Sequence, residues 1–239
     1  MSPLAIRGSV AFVTGAAQGL GRATALRLAR LGAQVCVVDM SEKAATETAK
    51  EIGFDNALPL VCDVSNEEHM QSAVDKAMST FGKINVTVNC AGVAIAQKTL
   101  SKKGPHSLQS FANVMNVNVL GTFNAVRLTA EQMAKNSPDE DGCRGVIVNT
   151  ASISAMDGQI GQAAYAASKG AVASMTLPLA RDLSSTGIRV NTIAPGLFLT
   201  PMLMGLPEAV QNELARTVPF PKRLGDPDNY AMLVQSIVE

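Results

Sequence analysis

Short runs of apolar, β-branched residues alternate along the chain with longer stretches in which apolar positions recur every three or four residues. The runs at 10–14, 34–38, 57–62, 85–89, 145–150 and 188–194 read as buried strands. The stretches at 19–31, 43–52, 67–81, 108–134 and 162–184 read as helices. Strands that are apolar throughout, separated by helices, predict a parallel sheet with helices on both faces, a doubly wound α/β fold. No linker, repeat or low-complexity segment divides the chain, so one domain is expected over residues 1–239.

Two stretches break the alternation. Residues 93–107 form a polar segment with Lys98, Lys102, Lys103 and Gly104-Pro105. Residues 197–223 follow Pro195-Gly196 and hold Pro201, Pro207, Pro219 and Pro221 among apolar residues. Long connections beyond the C-terminal ends of parallel strands are where open α/β sheets place ligand contacts. Both are therefore candidate substrate loops, the second suited to a lid; an ordinary surface loop stays open for the first.

With 47% hydrophobic and 17% charged residues, the chain has the composition of a globular protein rather than a disordered one. No apolar run has the length of a membrane span. The 20 basic and 20 acidic residues cancel, so bulk charge points neither to nucleic acid nor to an anionic membrane. Cys36, Cys62, Cys90 and Cys143 show no metal-ligand spacing and read as buried reduced thiols of an intracellular protein. His69 and His106 lie in polar stretches, so neither a histidine base nor a metal site is expected. The segment before the first strand is too short for a secretory signal, which leaves the cytosol and the mitochondrial matrix open.

Chemistry enters at the strand ends. Thr14-Gly15-Ala16-Ala17-Gln18-Gly19-Leu20-Gly21 follows the first strand and opens the first helix. Glycines there let the backbone approach a pyrophosphate, and the helix start supplies N–H groups and a positive dipole end. Asp39 ends the second strand, where a carboxylate accepts from ribose hydroxyls and repels a 2′-phosphate, favouring NAD over NADP. Asp63-Val64 ends the third strand, placed to meet an adenine, and Asn89-Cys90-Ala91-Gly92 ends the fourth with small residues that allow close passage of the chain. Tyr165 and Lys169, four apart, share one helix face; an ammonium there is expected to pull the phenol pKa below its usual value of about 10. Such a phenol passes protons to and from an alcohol oxygen. Alone, the pair also fits an unremarkable helix face.

Taken together, Gly15, Gly19 and Gly21, Asn89-Cys90-Ala91-Gly92, Asn118, Ser152, Tyr165 with Lys169, and Pro195-Gly196 resemble the short-chain dehydrogenase/reductase family, with Ser152 standing 13 residues before Tyr165. The resemblance implies a Rossmann-type domain binding NAD through Gln18, Leu20, Asp39, Asp63, Val64, Cys90, Phe198, Thr200, Tyr165 and Lys169, with Ala91 and Gly92 beside them. It implies catalysis by Ser152, Tyr165 and Lys169, with Asn118 anchoring a water, and substrate contacts at Ser152, Gln162 and Tyr165. Within the family the chain is similar to NAD-dependent enzymes of 3-hydroxyacyl-CoA and hydroxysteroids that are mitochondrial homotetramers and that also serve as a scaffold in mitochondrial tRNA processing. Another secondary alcohol as substrate, and a purely scaffolding role, remain open. Gln18 departs from the small residue usual in the phosphate turn. The resemblance also calls for a seventh strand, and the sequence through Glu239 supplies six.

Overall fold

The computed structural model describes residues 4–205 and 207–239. It begins with β1 (Val10–Thr14), α1 (Gly19–Arg30), β2 (Gln34–Asp39), α2 (Glu42–Ile52), β3 (Ala57–Val61), α3 (Glu67–Phe81) and β4 (Val86–Asn89). A two-strand hairpin follows, β5 (Leu100–Ser101) and β6 (Gly104–Pro105), then α4 (Leu108–Met115) and α5 (Gly121–Met133). Next come β7 (Gly145–Thr150), α6 (Ala163–Ser184), β8 (Ile188–Ile193), α7 (Pro201–Met204), α8 (Glu208–Thr217) and α9 (Pro227–Val238).

Six strands form one parallel sheet in the order β3-β2-β1-β4-β7-β8. Side chains alternate across it, and each face has its own core. Val10 and Phe12 of β1 join Met70 and Val74 of α3, Met133 of α5 and Leu179 of α6 on one face. Ala11 and Val13 join Ala25 and Leu28 of α1, Ala45 of α2, and Tyr230 and Val234 of α9 on the other. This is the doubly wound architecture the alternation of runs implies. The strand order reverses between β1 and β4, the crevice where such sheets bind ligands.

Three local features differ from the sequence reading. Residues 108–134 are not one regular helix: Asn116–Leu120 forms a π-helical turn between α4 and α5. Such turns widen a helix by one residue and recur at functional sites. The segment 93–107 carries the small hairpin, which turns on Lys102-Lys103, and residues 197–223 carry α7 and α8 in place of a loop; Leu206 lies outside the described residues. The helix α9 was not anticipated, although its signals are present. Asp226 caps the amide of Asp228, Pro227 occupies the first turn, and Tyr230, Ala231, Val234 and Val238 recur at helical spacing. Arg27 of α1 clamps it, with its Nε 2.9 Å from Asp228 and its Nη1 2.9 Å from Gln235. No helix among the described residues is long and apolar enough to cross a membrane.

Candidate active site

The turn after β1 is built by close backbone approach. Gly15 has φ 63°, and a Cβ there would stand 2.7 Å from the Ala91 amide nitrogen, so the turn and the strand-end chain 90–91 touch directly. A Cβ on Gly21 would overlap the Gly15 carbonyl oxygen. Only glycine fits either position. The helix that starts here, α1, has no side-chain cap and no acidic residue in its first turn, whereas Ser41, Asn66 and Ser107 cap α2, α3 and α4. Its first amides and its positive dipole end are thus left for an anion.

Asp39 stands beside this turn. Its carboxylate accepts from the Ala17 amide at 3.1 Å and from the Ser41 amide at 3.1 Å, which holds it at the mouth of the cradle. Thr200 closes in from the other side: a Cβ on Gly19 would lie 3.3 Å from its Cγ2. Phe198 is pinned nearby by a bridge to Gly225 and packs partly against the core. Gln18 is exposed at the helix start, and Leu20 is partly buried against the core. Asp63 turns its carboxylate back to Ser65, accepting from its amide at 2.9 Å and its hydroxyl at 2.7 Å, while Val64 is buried against Gly121.

Thiol burial is uneven. Cys36 and Cys62 are buried as expected, and desolvation pushes the Cys62 thiol up to about 12. Cys90 and Cys143 are only partly covered, the first standing just after β4 and the second just before β7.

The second cluster gathers at the ends of β4 and β7. Ser152 follows β7 and caps a short 3₁₀ turn, accepting from the Ser154 amide at 3.1 Å. Tyr165 and Lys169 lie one turn apart on α6, the ammonium 5.7 Å from the phenol ring centroid. Lys169 is 6% exposed and donates to the Thr150 carbonyl at 2.7 Å. Desolvation lowers its pKa to about 8, against a smaller opposing pull from Cys90. Tyr165 behaves otherwise than the spacing led us to expect. Its phenol is shifted up, because burial outweighs the hydrogen bond with Ser152 that pulls it down. The ammonium is seated on Thr150 rather than on the phenol oxygen, so spacing alone does not lower the tyrosine.

Asn118 sits in the π-helical turn, fully buried. Its Oδ1 accepts from the Val93 amide at 2.8 Å, and its Nδ2 donates to the Val93 carbonyl and to Ser168 Oγ, each at 2.9 Å. It thus ties the start of the 93–107 segment to α6, a bond set the sequence did not disclose. Gly92 passes beside both groups: a Cβ there would lie 3.2 Å from Asn118 Oδ1 and 3.6 Å from Lys169 Nζ. Gln162 precedes α6 and accepts from Ser154 Oγ at 3.3 Å, and the Gln97 amide donates to the Gly161 carbonyl at 2.8 Å. The 93–107 segment therefore borders the same cleft.

A model of the short chain dehydrogenase family matches residues 9–211. The chain belongs to the short-chain dehydrogenase family. It is 55% identical over 236 residues to a 3-hydroxyacyl-CoA dehydrogenase type-2 of Drosophila melanogaster, spanning 98% of this chain and 92% of that one. It is 53% identical over 236 residues to the human protein of the same name, spanning 98% and 90%. Among solved structures, a 3-hydroxyacyl-CoA dehydrogenase type-2 from Mycobacterium avium superposes with a TM-score of 0.91 at 39% identity, covering 96% of this chain and 89% of that one. A 3-ketoacyl-(acyl-carrier-protein) reductase from Brucella melitensis complexed with NADH superposes with a TM-score of 0.87 at 32% identity, covering 98% and 92%.

The buried ammonium carries a stability cost with a definite pH signature. Between about 8 and its ordinary 10.5, Lys169 is protonated in the unfolded chain and neutral in the fold, so its contribution to stability improves as pH rises through that window. Lys169→Met is expected to be more stable than the parent at pH 7 by about 1–2 kcal/mol, after the lost bond to Thr150 is offset. The advantage should vanish by about pH 10.5. Urea unfolding of both proteins across this range measures it, and an advantage independent of pH would contradict it.

Proposed function

We propose that the chain oxidises 3-hydroxyacyl-CoA thioesters to 3-ketoacyl-CoA with NAD, and hydroxysteroids less selectively. The observation that carries the chemistry is the meeting of Ser152, Tyr165 and Lys169 beside a glycine cradle with a free helix start. The names of the fly and human relatives support the substrate class, and the NADH complex of the Brucella neighbour supports the cofactor.

The residues fit a dinucleotide. Gly15, Gly19 and Gly21 give the backbone room for the pyrophosphate, with Gln18 and Leu20 in the same turn. Asp39 takes the adenosine ribose, and Asp63 and Val64 the adenine. Cys90, Ala91, Gly92, Phe198 and Thr200 line the remaining length. When bound, the nicotinamide supplies the hydride acceptor. Ser152 donates to the substrate oxygen and holds it against the Tyr165 hydroxyl. Tyr165, once ionised, takes the proton from the substrate hydroxyl as the carbinol C–H bond breaks. Lys169 contributes its charge to the phenolate and holds the nicotinamide ribose through its ammonium. The upward shift of Tyr165 in the free protein means that ionisation awaits further positive charge in the cleft. Asn118 fixes the chain at Val93, and with it the mouth of the cleft. Gln162 flanks the substrate from the start of α6.

Residues 93–107 and 197–223 form the two substrate loops of the domain. The exposed hairpin turn Lys102-Lys103, with Lys98 nearby, is placed to attract the phosphates of coenzyme A. Assembly as a homotetramer in the mitochondrial matrix completes the reading. Leu120, Phe123 and Leu177, all exposed at or beside α5 and α6, supply apolar surface for such contacts.

The reading is tested by following NADH formation from NAD with a 3-hydroxyacyl-CoA series, a hydroxysteroid and simple secondary alcohols. Activity on the thioesters is expected; activity only on other alcohols, or none, would contradict the substrate class or the enzymatic role. Tyr165→Phe keeps the ring and removes the ionisable oxygen, so kcat should fall by about 10²–10⁴ with NADH affinity little changed. Near-normal turnover with normal NADH binding would show that Tyr165 is not the acid/base.

Asp39 sets the cofactor. The wild type should strongly favour NAD over NADP in kcat/KM, and Asp39→Ala should narrow that ratio by about tenfold or more. Equal use of both by the wild type would overturn the role.

Replacing both Lys102 and Lys103 with alanine should raise KM for an acyl-CoA about three- to tenfold at low salt, and less at high salt. A hydroxysteroid should be unaffected. Equal losses with both substrates would remove the loop from coenzyme recognition.

A further inference from the structure

Thr150 is the last residue of β7, and it serves both faces of the sheet. Its carbonyl accepts from Lys169 Nζ at 2.7 Å on the α6 side. Its hydroxyl lies 2.6 Å from the hydroxyl of Tyr230 on α9, which packs against the opposite face. Cys90 closes a ring with these two. Thr150 Oγ1 donates to Cys90 Sγ at 3.6 Å, and Cys90 Sγ donates to the Tyr230 hydroxyl at 3.7 Å, which leaves Tyr230 to donate to Thr150. Each of the three groups gives one proton and receives one, so the ring is satisfied without solvent.

Packing alone does not call for a tyrosine here. Tyr230 is 2% exposed, and phenylalanine would fill the same space without burying a hydroxyl. Desolvation holds its phenol well above the usual range, so it stays a neutral donor. The helix that carries it is fixed to α1 by Arg27 and Asp228, two residues before Tyr230. Thr150 pairs with Ile193 as the last residue of the β7–β8 ladder, and the Ala151 amide after it donates to the Ile193 carbonyl at 2.8 Å, so the Tyr230 hydroxyl adds a side-chain tie to a backbone already held on one side.

We propose that Tyr230 is a positioning residue of the active site: its hydroxyl clamps Thr150, and Thr150 fixes the carbonyl on which the Lys169 ammonium is seated. This rests on the reading of Tyr165 and Lys169 as the proton-handling pair. The titratable groups facing the ammonium are Tyr165 on its own helix and Cys90 after β4, with Tyr230 of α9 behind Cys90. The Thr150 carbonyl favours the charged form of the amine it accepts from, so an amine whose seat is loosened gives up its proton at lower pH.

The titration of Lys169 itself makes this measurable in the free protein. Nitrogen NMR of lysine-labelled protein follows it, with the Nζ resonance assigned by its loss in Lys169→Met. The Lys169 midpoint is expected to fall by about 0.5–1 pH unit in Tyr230→Phe and in Thr150→Val. Thr150→Ser, which keeps the hydroxyl, should restore it. Asp228→Asn loosens α9 without touching the ring; it should lower the melting temperature and leave the midpoint in place. With substrate and NAD, Tyr230→Phe should lower kcat about three- to tenfold at unchanged substrate KM, and move the acid limb of the kcat profile upward. A Lys169 midpoint within about 0.1 unit of wild type in Tyr230→Phe, or an equal shift in Asp228→Asn, would overturn the proposal. The titration needs neither substrate nor cofactor. Failure of the dehydrogenase reading would appear separately, as absence of NADH formation by the wild type.

Discussion

A positively charged amine that is 6% exposed and bonded to a backbone carbonyl is costly to bury, and the candidate site is arranged around it. Taking an ammonium out of water disfavours its charged form, which is why Lys169 is held down to about 8. A hydrophobic residue would stabilise the position better, so the lysine is kept for what its charge does to its neighbours. Its reach defines the site: Tyr165 one turn away, Thr150 beneath, and Gly92 passing close enough that a side chain would crowd it.

The sheet supplies the precision. Parallel strands deliver the C-terminal ends of β1, β4 and β7 to one edge, so Gly15, Cys90 and Thr150 become neighbours although they are distant in sequence. A buried polar ladder stiffens that edge. The Ala91 amide donates to Thr14 Oγ1 at 3.2 Å, and Asn89 Nδ2 donates to Asn149 Oδ1 at 2.9 Å. The side chain of Asn118 adds the third support by binding Val93 and Ser168. Glycine at 15 and 21 is then a consequence of backbones that must touch, which is the geometry a bound pyrophosphate needs.

Period and punctuation made much of this legible in the sequence. Apolar runs bounded by glycine revealed the six parallel strands, and the four-residue spacing of Tyr165 and Lys169 placed both on one face of α6. What the sequence hid was set by tertiary context. The phenol of Tyr165 is raised because burial depends on what packs over it, which spacing does not encode. The π-helical turn that carries Asn118 has no local signature in Asn116-Val117-Asn118-Val119-Leu120. The helical segments within 197–223 were masked by prolines that open or flank them. Tyr230 reads as one more apolar position of α9, and only contact across the sheet shows its hydroxyl at work.

The central claim is that Lys169 is a buried ammonium seated on Thr150 and tuned down by desolvation. Nitrogen NMR of lysine-labelled protein, with the Nζ resonance assigned by loss of signal in Lys169→Met, reads this directly. The account predicts a titration midpoint near 8 for Lys169. A Lys169 midpoint at 10.5 would contradict it, because the amine would then be solvated and the site would have lost its organising charge.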